Sequence, residues 1–271
     1  GQESPVMLAT AYRTLGNFYR DCIEQGDLSA ENLAMAIQAY EQSLHWFPDD
    51  QLERAEVLND LGNLYWTFAQ IQPEDATISL ERTLQLYQAA LDCLAPQQLE
   101  TYAMLQNNLG GVYADLAHHQ EPVLNLERSV QAYQQALQSR TAEADPIRYA
   151  STQNNLGTTY WNLAQHQQPA FNLKQAILAY AEALNHHSPD HEPLHYAMIQ
   201  NNLGTAYWNL AQYEQSKDYL LLAALAYQSA LQYRSLENHP AGVAATQNNL
   251  GTAHWHLASQ TEGSERRAYL E

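Results

Sequence analysis

Asparagine recurs along this sequence at nearly constant intervals, in a pattern that could bind a peptide. A first asparagine column comprises Asn59, Asn107, Asn154, Asn201 and Asn248, and a second column comprises Asn108, Asn155, Asn202 and Asn249. A carboxamide carries both a donor and an acceptor, so it can pair with a peptide unit of an extended chain whatever that chain's side chains are. The columns therefore predict a peptide-binding surface. The alternative is that one asparagine of each pair bridges neighbouring helices.

Tryptophan follows the same periodicity. Four of the five tryptophans share one register, at Trp66, Trp161, Trp208 and Trp255. A large rigid aromatic side chain at a partly exposed position is typical of binding hot spots. We predict that these side chains are partly exposed and contact a partner. The alternative is that they pack between successive helices as part of the core.

Two arginines interrupt both patterns near the start of the chain. Arg13 takes the earliest position of the first asparagine column, and Arg20 lies one helical face further on. A guanidinium group at either position could receive a carboxylate of a bound peptide. The alternative is that both arginines belong to a solvated cap at the end of the array.

Residue combinations for catalysis or metal binding are weak by comparison. The densest histidine group is His186, His187, His191 and His195, but intervening prolines prevent the four from sharing one helix face. We therefore interpret these histidines as loop residues between repeats. The sequence also has no phosphate-binding glycine loop, strand-elbow serine or coupled cysteine and histidine pair. We predict that the protein is not an enzyme and uses no metal or cofactor.

The elements that must position these residues repeat with a period near 47 residues. Leu-Gly recurs with its glycine at Gly16, Gly62, Gly110, Gly157, Gly204 and Gly251. Around each glycine, alanine at −7, an aromatic residue or histidine at +3 and an apolar residue at +6 follow the 3.6-residue period of an amphipathic helix. A second apolar stripe, such as Leu173, Ile177, Tyr180 and Leu184, predicts a second helix. Each unit is thus an expected pair of helices, A and B, that must stack on its neighbours to bury its apolar face.

The units resemble tetratricopeptide repeats along essentially the whole chain. Leu-Gly-x-x-Tyr of helix A is followed in helix B by a spaced small, tyrosine and small pattern, as in Ala176, Tyr180 and Ala183. Since the usual unit has about 34 residues, the longer unit is similar to kinesin-light-chain-like and multidomain bacterial arrays, cyanobacterial ones included. The resemblance implies an all-α, right-handed superhelical solenoid of antiparallel helix pairs that forms a single domain over residues 1–271. Repeats are expected near 5–48, 49–95, 96–145, 146–192 and 193–239, with a partial sixth at 240–271.

The helical period also indicates which face of helix A is available for binding. Ser151, Asn154, Thr158, Trp161 and Asn162 form a polar stripe on the side away from the apolar stripe of the same helix. In tetratricopeptide repeat proteins the corresponding positions line a concave peptide-binding groove. The resemblance therefore implies that this stripe and both asparagine columns face that groove.

Charge limits the class of partner. The chain has 30 acidic and 12 basic residues, for a formal net charge of −18, which repels nucleic acids and anionic lipid surfaces. No apolar stretch is long enough for a membrane helix, so we expect no membrane insertion and a cytoplasmic location. Cys22 and Cys93 are predicted to be reduced, buried thiols.

These observations predict a scaffold or adaptor that binds an extended segment of an unidentified protein or peptide partner in the concave groove. The main alternative is a regulatory sensor module of a larger signalling or effector protein, packed on its own catalytic domain; a receptor for a small ligand or metal is the third reading. The sixth unit contains only the start of helix B, at Tyr269 and Leu270. We therefore expect the native chain to continue beyond Glu271, and this chain to self-associate through its open C-terminal end.

Overall fold

The computed structural model describes residues 4–47, 52–237 and 239–270, and every regular element in these ranges is helical. The chain forms two compact units, Gly1–Glu121 and Pro122–Glu271. The predicted all-α class, built from helices packed in adjacent pairs, is confirmed. The handedness of the array and its organisation as a single domain stay predictions.

Unit 1 contains two complete helix pairs and a further A helix. Its elements are α1 (Pro5–Glu24), α2 (Ala30–Trp46), α3 (Leu52–Ile71), a short 3-10 helix (Pro73–Asp75), α4 (Ala76–Asp92) and α5 (Leu99–Leu116). The A helices of this unit are α1, α3 and α5, and the B helices are α2 and α4. Each B helix packs on its own A helix and on the next one, so the apolar face of a pair is covered from both sides.

Unit 2 begins with a B helix and continues with two complete pairs. Its elements are α6 (Pro122–Ser139), α7 (Pro146–Leu163), α8 (Pro169–His186), α9 (Pro193–Glu214), α10 (Lys217–Gln232), α11 (Pro240–Ser259) and α12 (Gly263–Leu270). The A helices are α7, α9 and α11, and the B helices are α6, α8 and α10. The short α12 packs on α11.

Proline and aspartate set the helix starts as the sequence indicates. Pro146, Pro193 and Pro240 occupy the first turn of α7, α9 and α11, where proline's missing N–H would have had no helical partner. The side chain of Asp145 caps α7 by accepting from the backbone N–H of Arg148 at 2.9 Å. These starts fix where each A helix begins and therefore which of its residues face the neighbouring repeat.

Small residues let the two helices of a pair approach closely. Ala150 and Ala197 on the A helices and Ala176 and Ala183 on α8 are fully buried, in line with the repeat pattern. The two cysteines differ from the expectation of buried thiols, because Cys22 and Cys93 are only partly buried. Both thiols are therefore in partial contact with solvent.

Candidate binding surface on the A helices

In four helix pairs, α1–α2, α3–α4, α7–α8 and α9–α10, a tyrosine ring of the B helix lies on a glycine of the A helix. A methyl group added to Gly157 would lie 2.8 Å from ring carbons of Tyr180, and one added to Gly204 would lie 2.7 Å from the ring of Tyr227. Both tyrosine side chains are almost fully buried. In unit 1 the same contact joins Gly16 to Tyr40 and Gly62 to Tyr87. The recurrent glycine is thus a site of close helix approach, since any larger residue would displace the ring.

The hydroxyl group of each tyrosine reaches the residue that follows the glycine. Oη of Tyr180 lies 3.0 Å from Oγ1 of Thr158, and Oη of Tyr227 donates to Oγ1 of Thr205 at 3.2 Å. Burial raises the pKa of both Tyr180 and Tyr227 to about 12, so both stay protonated at neutral pH. In unit 1 the corresponding acceptors are Asn17 and Asn63. A polar side chain is therefore fixed at this position of α1, α3, α7 and α9.

The asparagine columns join consecutive A helices. Nδ2 of Asn202 donates to Oδ1 of Asn154 at 3.5 Å, and Nδ2 of Asn249 donates to Oδ1 of Asn201 at 3.3 Å. In unit 1, Asn108 donates to Asn59 at 3.0 Å. The structure therefore contains the bridging arrangement that was the alternative in the sequence analysis.

Burial differs along the columns. Asn59 and Asn154 are buried, Asn107, Asn108, Asn155, Asn201, Asn202 and Asn249 are partly exposed, and Asn248 is exposed. A buried carboxamide oxygen that accepts from the next repeat contributes to the stacking of A helices. Contact of either column with a partner stays a prediction. On α7 the second column is the more accessible of the two.

The tryptophans lie against the A helix of the following repeat. Nε1 of Trp66 donates to Oδ2 of Asp115 at 2.6 Å. Trp161 packs against the buried cluster of α7, α8 and α9 residues, and Trp208 meets the ring of His256 edge-on at 5.5 Å between centroids. These three are partly buried, whereas Trp255 is 63% exposed. Trp66, Trp161 and Trp208 therefore pack between helices, which was the alternative in the sequence analysis. Trp255 has the exposure that was expected of all four.

Two indole N–H groups in unit 2 differ from that of Trp66. Among the described residues, Nε1 of Trp161 and Nε1 of Trp208 are buried with no hydrogen-bond partner. Asn209 takes the register of Asp115, but its Nδ2 donates to the backbone oxygen of Thr205 at 2.8 Å. Opposite Trp161, the carboxylate that satisfies the indole in unit 1 is therefore replaced by an amide engaged within its own helix. Opposite Trp208, His256 takes this register.

The two arginines of α1 pair with the next A helix. Nη2 of Arg13 lies 2.5 Å from Oε2 of Glu56, and Nη1 of Arg20 lies 3.2 Å from Oδ2 of Asp60. Burial raises the pKa of Asp60, and the two guanidinium groups oppose this rise. The first junction of unit 1 is thus ionic where the second is an amide bridge. Binding of a peptide carboxylate by Arg13 or Arg20 stays a prediction.

Two open cavities lie in the seam between α7 and α9. The hydroxyl cavity, of about 150 Å³, is lined by Thr158, Trp161, Tyr180, Asn202 and Thr205. The histidine cavity, of about 180 Å³, is lined by Ser151, Asn154, Asn155, His187, His195, Met198 and Ile199. Four of the five residues of the predicted polar stripe of α7 line one of these cavities, and Asn162 does not. The seam therefore collects hydroxyl, carboxamide, imidazole and indole groups.

The histidine cavity contains a residue whose importance the sequence reading missed. His187, interpreted as a loop residue, is 5% exposed, and its Nδ1 lies 2.9 Å from Oε2 of Glu192. Nδ1 of the exposed His195 lies 3.3 Å from the other oxygen of the same carboxylate. Burial lowers the pKa of His187, although Glu192 opposes this effect. No group of three or more metal-ligating side chains occurs among the described residues.

The paired helices and their 47-residue period define a helical-repeat protein. Residues 197–241, which include most of α9 and all of α10, match the tetratricopeptide repeat family. The same glycine and tyrosine contact recurs in the other complete pairs, so these pairs share the construction of the tetratricopeptide repeat that residues 197–241 match. The closer likeness to kinesin-light-chain-like or cyanobacterial arrays stays a prediction. No curated protein matches the chain.

Solved structures of low sequence identity share the fold. PilF of Pseudomonas aeruginosa is 15% identical, with 99% of each chain covered and a TM-score of 0.51. The apo form of RapI is 16% identical, with 93% of this chain and 84% of that chain covered and a TM-score of 0.50.

No helix in the described ranges combines the length and the apolar character needed to cross a bilayer.

Proposed function

We propose that this protein is a scaffold or adaptor, not an enzyme, and that it binds an extended segment of a partner protein along the polar side of its A helices. The observation that carries this proposal is the seam between α7 and α9. Two open cavities follow one another there, and both are lined by groups that can exchange hydrogen bonds with a peptide backbone.

The chemistry of the seam suits an extended chain. Such a chain presents a carbonyl and an N–H group at every residue, without satisfying them internally. The hydroxyl oxygens of Thr158 and Thr205 donate within their own helices and can accept from peptide N–H groups. The carboxamide of Asn202 can donate and accept, and the ring of Trp161 offers apolar area. Asn154 has a supporting role in this proposal, because its oxygen holds Asn202 in place.

The other residues predicted for the groove belong to the same proposal within their own repeats. They are Arg13, Arg20, Asn59, Trp66, Asn107 and Asn108 in unit 1, and Asn155, Asn201, Trp208, Asn248, Asn249 and Trp255 in unit 2. Of these, Asn248 and Trp255 are the most accessible.

Selection of peptides by the intact chain tests the proposal. A displayed library of short unstructured peptides would be selected on the wild type, and the affinity of a selected peptide measured by fluorescence anisotropy. We expect Asn202→Ala combined with Thr205→Ala to weaken binding at least about tenfold, which corresponds to about 1.4 kcal/mol.

Gln228→Ala combined with Gln232→Ala on the exposed face of α10 is the matched control and should leave the affinity unchanged. Circular dichroism would confirm that both double variants are folded. Failure to select any peptide, or equal weakening by the seam and control variants, would contradict the proposal.

A further inference from the structure

The register of the repeats sets the histidine cavity apart from the two neighbouring junctions of unit 2. His187 stands 47 residues after Arg140 and 47 before Arg234, and Ile199 stands in the same relation to Thr152 and Thr246. The two flanking junctions therefore combine arginine with threonine. The junction between α8 and α9 combines histidine with isoleucine.

The flanking arginines lie across their junctions and donate to the next A helix. Nη1 of Arg140 donates to Oγ1 of Thr152 at 2.8 Å. Nη1 of Arg234 donates to Oγ1 of Thr246 at 2.6 Å and to the backbone oxygen of Gly242 at 3.2 Å. Both threonines are fully buried, so each guanidinium group reaches into the seam between its helices.

At the α8–α9 junction neither part of this pair is present. The imidazole of His187 is shorter than an arginine side chain, and Ile199 offers no acceptor. The histidine cavity of about 180 Å³ lies between these two residues and α7. This is several times the volume of about 30 Å³ that one water molecule occupies in the liquid. The cavity therefore has room for a side-chain head group.

The surroundings of the cavity favour a cation. Its seven lining residues include no lysine or arginine, and both of its histidines contact the carboxylate of Glu192. Burial lowers the pKa of His187, so this side chain is neutral near pH 7 and offers no charge to an anion. The net charge of −18 also attracts basic segments from a distance.

We propose that the histidine cavity binds the guanidinium group of an arginine side chain of the partner, in place of the internal arginine that the flanking junctions hold. This inference rests on the proposed function and adds the chemistry of the partner. A guanidinium group is planar, weakly hydrated and rich in donors. Ser151 and Asn155 supply acceptor oxygens in the lining, and Asn154 adds one that already accepts from Asn202. Glu192 contacts both histidines of the lining and supplies negative charge behind them.

Methyl resonances of the cavity provide a direct measurement. The intact protein would be titrated with the blocked tripeptide acetyl-Gly-Arg-Gly-amide while the methyl signals of Met198 and Ile199 are followed by NMR. We expect saturable shifts with a Kd on the order of 1 mM, which is reasonable for a single buried head group. The corresponding citrulline and lysine peptides should bind at least about tenfold more weakly.

Two variants test whether the cavity is the site. His187→Arg combined with Ile199→Thr copies the flanking junctions and should abolish peptide-induced shifts at Met198. Ser151→Trp changes an exposed position at the rim and should abolish them independently if the first variant fails to fold. Equal binding of the citrulline or lysine peptide, absence of saturable shifts, or undiminished binding by a folded variant would overturn the inference.

The outcome is separable from that of the proposed function. If the arginine peptide does not bind but selected peptides still lose affinity in the Asn202 and Thr205 double variant, only the arginine assignment fails. If the arginine peptide binds but no library peptide does, the proposal of an extended binding mode fails instead.

Discussion

Replacing Gly204 by alanine tests the glycine and tyrosine contact that sets the spacing of each helix pair. The added methyl group would lie 2.7 Å from Cε1 of Tyr227 and 3.1 Å from the backbone oxygen of Ala223. Tyr227 is 2% exposed, so its ring cannot move away without disturbing the core. Gly251 supplies a matched control, because a methyl group there would meet nothing within 4 Å.

The two variants should have opposite effects on stability. Alanine in place of glycine within a helix contributes about 1 kcal/mol, and Gly251→Ala should gain about that amount. Overpacking costs typically about 1 to 3 kcal/mol, with the backbone contact favouring the upper part of this range for Gly204→Ala. We therefore expect Gly204→Ala to unfold about 2 to 3 kcal/mol more easily than Gly251→Ala.

Urea unfolding followed by circular dichroism measures the difference, and hydrogen exchange within α9 and α11 localises it if the array does not unfold in one step. Equal stability of the two variants would refute the reasoning. The recurrent glycine would then be a matter of ancestry and not of packing.

Three further predictions concern the seams between A helices. Asp115→Ala should cost about 1 to 3 kcal/mol of unfolding free energy, because the partly buried indole N–H of Trp66 loses its acceptor. Trp161→Ala should cost about 3 to 5 kcal/mol, whereas Trp255→Ala on the exposed side should stay within about 0.5 kcal/mol, both measured by urea unfolding. Burial lowers the pKa of His187 in the fold, so below pH 6.5 the unfolded chain binds a proton more readily. Thermal melts should therefore show that the wild type loses stability as the pH falls below 6.5. His187 contributes at most about 1.4 kcal/mol per pH unit to this loss, so the loss should be smaller in His187→Asn.

The periodic features of the sequence predicted the fold well, because each of them corresponds to a contact within one helix pair. The glycine of helix A and the tyrosine of helix B recur 23 to 25 residues apart, and in the structure these two residues contact each other. First-turn prolines such as Pro146 and Pro193 marked helix starts for a local reason that needs no tertiary information.

The surface of the A helices was harder to predict, because exposure there depends on the next repeat. The helical period places Asn154 and Trp161 away from the core of their own pair, but it says nothing about the distance to α9. In the structure α9 is close enough for Asn202 to donate a hydrogen bond to Asn154 on α7, and α9 also covers part of Trp161. Trp255 remains exposed on α11 although its sequence context is nearly the same.

His187 was missed for a different reason. In the sequence His187 belongs to a run of neighbouring histidines, which hides its place in the repeat. Its 47-residue spacing from Arg140 and from Arg234 identifies it as a substituted junction residue. The sequence therefore held the signal, but only when each position was compared with its equivalents in other repeats.

The ionic and amide junctions of unit 1 differ in how freely their parts can be exchanged. An asparagine pair is neutral and of the same kind on both helices, so an A helix that carries it can follow any other of its type. The arginines of α1 instead pair with the carboxylates of Glu56 and Asp60. A neighbour without these carboxylates would leave Arg13 without this ion pair, and Arg20 with only Asp21 and Glu24 of its own helix. Duplication or loss of amide-joined pairs would thus keep the amide junctions matched, while charge favours α3 as the helix that follows α1. The array can therefore gain or lose amide-joined helix pairs, while the ionic junction still favours α3 as the neighbour of α1.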